Sequence, residues 1–138
     1  MQHNLRALHV VIAEDEPRIL ELIRTRLELA NYVTHTAKDG LEAMVLIDKV
    51  RPRAILLDIN MPGLDGFGVL ERLKADPQLC DIPVLVLTAR NSGDDVKRAI
   101  ALGARDFLAK PFDHLKLMQR LQRLIRRRQP NGDLLLID

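Results

Sequence analysis

The chain has 138 residues, 47% of them hydrophobic, and a formal net charge of +2. That length suits one domain with one real core, and the composition is globular rather than disordered. The charge balance demands neither a nucleic acid nor a membrane as partner, and the single cysteine, Cys80, excludes an internal disulfide and fits a reducing compartment.

The opening, MQHNLRALHVVIAEDEP, has no long apolar run before its first acids. Neither a signal peptide nor a membrane span is expected, and a cytoplasmic location is. His3, His9, His35 and His114 lie far apart in the sequence, without the close spacing of zinc ligands, and read as surface or boundary residues.

Taken in chain order, five short apolar runs alternate with helical patterns. The first run is His9–Ala13 (HVVIA), followed by a helix whose apolar face is Ile19, Leu20, Ile23 and Leu27. The second, Tyr32–Ala37 (YVTHTA), is the most polar and suits a sheet edge. Asp39 with Glu42 then gives a start like a capping box, and Leu41, Met44, Val45 and Ile47 predict the apolar face of the second helix. The third run, Ala54–Asp58 (AILLD), reads as a strand buried on both faces that ends on an acid. A Pro- and Gly-rich turn and a helix marked by Val69, Leu70 and Leu73 follow it. The fourth run is Val84–Thr88 (VLVLT), with Val96, Ile100 and Leu102 as the next helix face and Gly103 as its left-handed cap. The fifth is Asp106–Lys110 (DFLAK), before a helix marked by Leu115, Met118, Leu121, Leu124 and Ile125.

This alternation predicts an α/β fold: a doubly wound, five-stranded parallel sheet with helices on both faces. In such sheets the site lies at the carboxyl ends of the strands, near the topological switch point. Those ends carry Glu14, Asp15 and Glu16, then Asp58, Thr88 and Lys110; the second run ends in Ala37 and offers no chemistry. Each residue also has an ordinary structural use. Asp15 or Glu16 suits the cap of a helix opened by Pro17, and Asp58 suits the turn that follows it. Together they say more. Three carboxylates in one cleft repel one another unless a cation or protons compensate. Such an oxygen-rich site suits magnesium, which keeps several waters. A hydroxyl and an ammonium beside it are what a phosphoryl group needs.

Competing phosphate chemistries fit less well. The first strand ends in AEDEP rather than a Gly-rich Walker loop, and no Gly-x-Gly-x-x-Gly is present. Three acids would repel a flavin phosphate. A phosphatase of the haloacid dehalogenase type needs a second acid two residues after the first, where this chain has Asn60.

The motifs VVIAEDEP, LLDINMPGLDGFGVL, VLVLTAR and GARDFLAKPF, in that order over Leu8 to Arg128, resemble the receiver domain of two-component response regulators, including single-domain chemotaxis-type regulators. The resemblance implies a receiver domain over residues 1–128 and a tail or linker over 129–138. It makes Asp58 the phosphoacceptor and Asp15 a direct magnesium ligand, with the Asn60 backbone carbonyl as a further ligand and Glu14 acting through water. Thr88 becomes the hydroxyl that bonds the phosphoryl group, Lys110 the paired cation, and Lys110–Pro111 a cis peptide. Phe107 becomes the aromatic switch, without the hydroxyl of the more frequent Tyr. Asn60 and Arg90, each two residues beyond a site residue, are expected to set the lifetime of the acyl phosphate.

The implied protein is not an enzyme. It is a phosphoacceptor that assists its own phosphotransfer and dephosphorylation. Its partners are a sensor histidine kinase or phosphotransfer protein, and an output protein meeting the fourth helix, fifth strand and fifth helix. No membrane contact is implied, and no direct nucleic-acid binding by these residues. The alternative is the N-terminal receiver half of a winged-helix DNA-binding regulator, since PNGDLLLID at the end resembles a linker and first strand. Lys97, Arg98, Arg105 and Lys116 make the output face basic, which disfavours the charge-paired dimer of those regulators.

Overall fold

The computed structural model describes residues 7–89 and 93–126. Five strands, β1 (His9–Ala13), β2 (Val33–Ala37), β3 (Ala54–Asp58), β4 (Val84–Thr88) and β5 (Asp106–Ala109), form one parallel sheet in the order β2-β1-β3-β4-β5. The helices are α1 (Pro17–Leu29), α2 (Gly40–Val50), α3 (Gly66–Ala75), α4 (Gly93–Ala101) and α5 (His114–Arg126). The doubly wound architecture expected from the alternation is therefore present. β2 lies at an edge, as its polar composition suggests. Two strands are one residue shorter than expected: Tyr32 precedes β2 and Lys110 follows β5.

Alternate strand residues feed two cores. Val10, Ile12, Leu56, Leu85 and Leu87 pack against Ile23 and Leu27 of α1 and Leu117, Leu121 and Leu124 of α5. Val11, Ala13, Ile55, Leu57 and Val86 face Ala43 and Ile47 of α2, Phe67 and Leu70 of α3, and Ala99 of α4. Each fully buried Leu or Ile contributes about 1.5–3 kcal/mol by leaving water, so β1, β3 and β4 fix the frame.

Local chemistry sets the helix ends. Glu16 caps α1 by accepting from the backbone N–H groups of Arg18 and Ile19, with Pro17 opening the helix. The Asp39 carboxylate accepts from Glu42 N at 2.8 Å, while the Glu42 side chain reaches back to Lys38 N, one residue before the cap. Gly103, at φ +108°, follows α4 in a conformation that a Cβ would strain.

Three helix faces differ from the expectation. On α2, Leu41 and Val45 are exposed and Gly40, Ala43 and Ile47 are buried. On α4, Ile100 is exposed and Ala99 buried; on α5, Leu115 is exposed and Leu117 buried. On α2 and α4 small residues sit at the sheet and larger apolar ones are left outside, whereas on α5 one leucine takes the inner place of another.

Candidate functional site

The strand order reverses between β1 and β3, so the connections leaving them go to opposite faces and open a crevice at their carboxyl ends. Register pairs Ala13 with Leu57, Asp58 with Leu87, and Thr88 with Ala109. Glu14, Asp58, Thr88 and Lys110 thus lie along one sheet edge. Backbone bonds extend the ladder to these positions, from Glu14 N to Ala37 O at 3.0 Å and from Lys110 N to Thr88 O at 2.7 Å.

The structure separates the three N-terminal acids. Glu16 turns away to cap α1. Glu14 is fully buried, Asp15 is exposed, and Asp58 is 3% exposed. One oxygen from each of Glu14, Asp15 and Asp58 lies within 4.8 Å of the others. Lys110 Nζ reaches in from β5, 2.7 Å from Glu14 Oε1 and 3.5 Å from Asp58 Oδ1. The ammonium therefore stands nearer Glu14 than the acceptor candidate. It lies off the hydrogen-bonding direction of Glu14 Oε1, which has charge pairing but no directed bond. Asp58 Oδ1 accepts from the Asn60 backbone N–H at 3.2 Å, so it also has the turn-capping use read from the sequence.

Burial, and then the neighbouring Glu14 carboxylate, push the Asp58 carboxyl up from 3.8 to about 7; the Lys110 charge and the Asn60 N–H only partly offset them. The site is short of positive charge. A hard-oxygen donor set with an undirected buried oxygen fits a small divalent cation.

Thr88 is buried at the end of β4. Phe107, early in β5 opposite Val86, is 36% exposed. The Lys110–Pro111 peptide is cis, as the resemblance implies. Asn60 is exposed beside Asp58, and Arg90 falls outside the described residues.

Sequence reading missed two glycines that shape the site. A Cβ at Gly66 would lie 2.5 Å from the Asp58 carbonyl oxygen, and one at Gly40 would lie 2.1 Å from that of Leu64. The only signal was an Asp-Gly step opening each helix. It also missed a histidine pair away from the site: His9 Nδ1 lies 3.0 Å from His35 Nε2, although the two are 26 residues apart. Beside β5 and α5, Phe107, Pro111, Phe112, Lys116, Arg120 and Arg123 help line a cavity of about 520 Å³. Asp106 is held there by Arg120 at 3.2 Å and Arg123 at 3.0 Å.

The family model for the response regulator receiver domain matches residues 10–122. The chain belongs to the response-regulator receiver family. Over 118 residues this receiver is 39% identical to the DNA-binding dual master transcriptional regulator RpaA of Synechocystis, covering 86% of this chain and 49% of that protein. The chain spans about half the length of the curated relatives it matches. Chemotaxis protein CheY4 of Vibrio cholerae superposes with a TM-score of 0.81 at 32% identity, over 86% of this chain and 98% of that one. The receiver domain of sensor histidine kinase PA1611 from Pseudomonas aeruginosa, solved with magnesium coordinated in its active-site cleft, gives 0.80 at 30% identity, over 86% and 98%. Among the described residues no helix of this receiver is long and apolar enough to cross a membrane.

Proposed function

We propose that this receiver takes a phosphoryl group from a phosphohistidine on a sensor kinase or phosphotransfer protein onto Asp58. The observation that carries the reading is the buried Asp58 carboxylate at the switch point, flanked by Glu14, Asp15 and Lys110. The ionised carboxylate attacks phosphorus; the O–P bond forms as the P–N bond to the partner's imidazole breaks, and the electron pair leaves with that nitrogen. Lys110 offsets charge on the phosphoryl oxygens, and the Thr88 hydroxyl donates to one of them. Asp15, Asp58 and the Asn60 carbonyl would hold magnesium directly, with Glu14 acting through water. When bound, the metal neutralises the carboxylates and the phosphoryl oxygens. The PA1611 receiver domain holds magnesium in its own active-site cleft. The product is an acyl phosphate, which water hydrolyses at a rate Asn60 and Arg90 influence. Thr88 moves toward the phosphate and Phe107 follows inward, reshaping the α4–β5–α5 face that an output partner reads.

Intact-mass measurement after incubation with acetyl phosphate and magnesium tests the acceptor. One phosphoryl adduct is expected on the wild type and none on Asp58→Asn; an undiminished adduct on the variant overturns the assignment.

A second reading is favoured by the relatives' length: the chain is the receiver half of a DNA-binding regulator. The length of the full open reading frame decides it.

A further inference from the structure

We propose that Arg98 is a positioning residue: its guanidinium on the Phe67 ring latches α4 to α3 and holds the receiver in its unphosphorylated conformation. The inference rests on the reading of Asp58 as acceptor and adds the element that opposes the switch. Inward movement of Phe107 needs room beneath α4. The space there, between Ile59 and Val86 of the sheet side and Val96 and Ala99 of α4, is a cavity of about 10 Å³ that Thr88 and Phe107 also line. That is about the room of one water molecule, far less than a phenyl ring needs. Phe107 enters only if α4 moves off the sheet.

Little apolar burial resists that movement. Ala99 is the one fully buried residue of α4, with Val96 and Leu102 partly buried near it. Among the ties that resist it, two polar ones run to α3. The Arg98 guanidinium carbon stands 4.1 Å from the Phe67 ring centroid, and Lys74 Nζ donates to the Ala101 carbonyl at 3.0 Å. Helix α3 is itself fixed, because Gly66 lies directly against the Asp58 carbonyl and Phe67 is buried in the core. An α4 that shifts against an immobile α3 carries Arg98 off the Phe67 face. A cation over an aromatic face at a surface position stabilises the latched state modestly, and its loss moves the equilibrium toward the open state by the same factor. Any ligand that requires the open state then binds more tightly.

The probe is beryllofluoride with saturating magnesium, a mimic of the aspartyl phosphate, titrated by fluorescence or calorimetry. Arg98→Met keeps the aliphatic contact and removes the cation; it should tighten beryllofluoride binding about two- to fivefold. Arg98→Lys keeps a cation and should stay near wild type. Phe67→Leu should act in the same direction as Arg98→Met, and the double variant should be no tighter than the stronger single. Lys74→Met, which removes the second tie, should also tighten binding. General loss of packing would lower the unfolding midpoint without raising this affinity. Unchanged or weaker binding by Arg98→Met, or full additivity with Phe67→Leu, overturns the latch. Absence of beryllofluoride binding by the wild type overturns the Asp58 reading instead.

Discussion

Replacing Asp58 by Asn should make the metal-free protein more stable at pH 8 and leave its stability unchanged near pH 4. The wild-type carboxyl titrates at about 7 in the folded chain against an ordinary 3.8. Between those values the native state holds a proton that the unfolded state has released. Stability from this group is fully present below 3.8 and is lost as pH rises through about 7. The rise from 3.8 to about 7 sets a ceiling of about 4 kcal/mol. The realised effect is smaller, because exposed Asp15 and the water around it raise the local dielectric and Lys110 stays nearby. The Asn side chain keeps an acceptor for the Asn60 N–H, and Lys110 keeps Glu14 as its closer partner. We expect a gain of about 1–2 kcal/mol at pH 8, or about 3–8 °C in midpoint. Urea denaturation in chelator at pH 8 and pH 4 measures it. Magnesium should narrow the gap at pH 8 by binding the wild-type fold in preference. An Asp58→Asn protein no more stable than wild type at pH 8, or equally stabilised at both pH values, would refute the electrostatic account.

Gly66→Ala should cost about 1–3 kcal/mol and slow phosphorylation, since the new methyl would meet the Asp58 carbonyl oxygen at 2.5 Å and the Ile59 Cα at 2.7 Å; a normal melting curve and a normal adduct rate would contradict this. His35 is held below its ordinary value by burial and then by His9. Its contribution to stability is therefore present above about pH 6.5 and is lost as pH falls through the lower folded value. His35→Gln should flatten the stability profile between pH 5 and 7, and parallel profiles would count against the pair. The basic α4–β5–α5 face should not build a charge-paired dimer, because Asp106 is already engaged by Arg120 and Arg123 within the chain. Sedimentation with beryllofluoride should show a monomer, and a tight activated dimer through Arg105 and Lys116 would be the contrary result.

The frame was legible because β1, β3 and β4 are buried on both faces, and uninterrupted apolar runs such as AILLD and VLVLT have few other uses. The site was legible because topology alone brings the ends of those runs to one edge. The inner faces of α2, α4 and α5 were less so. Apolar periodicity identifies a stripe but not which stripe meets the sheet, and close approach favours Ala43 and Ala99 over Val45 and Ile100. Contacts made across the fold left no local trace. The Lys110–Glu14 pair joins β5 to the end of β1 across two intervening strands, and His9 meets His35 only once β1 and β2 align.

The strand ends break the pattern that the rest of the chain keeps. Two buried carboxylates, Glu14 and Asp58, stand with a single ammonium where an apolar pair would pack without electrostatic cost. The rest of the chain follows its local preferences: strands alternate between two cores, acids cap α1, α2 and α3, and basic residues lie near the helix C-termini. A rule broken at one place in an otherwise consistent sequence points to selection for something other than stability there. Here the uncompensated charge is what a cation and an incoming phosphoryl group would act upon. Neutralising Asp58 for good, as in Asp58→Asn, should stabilise the fold and abolish the signal together, so one substitution tests whether instability and function have the same origin.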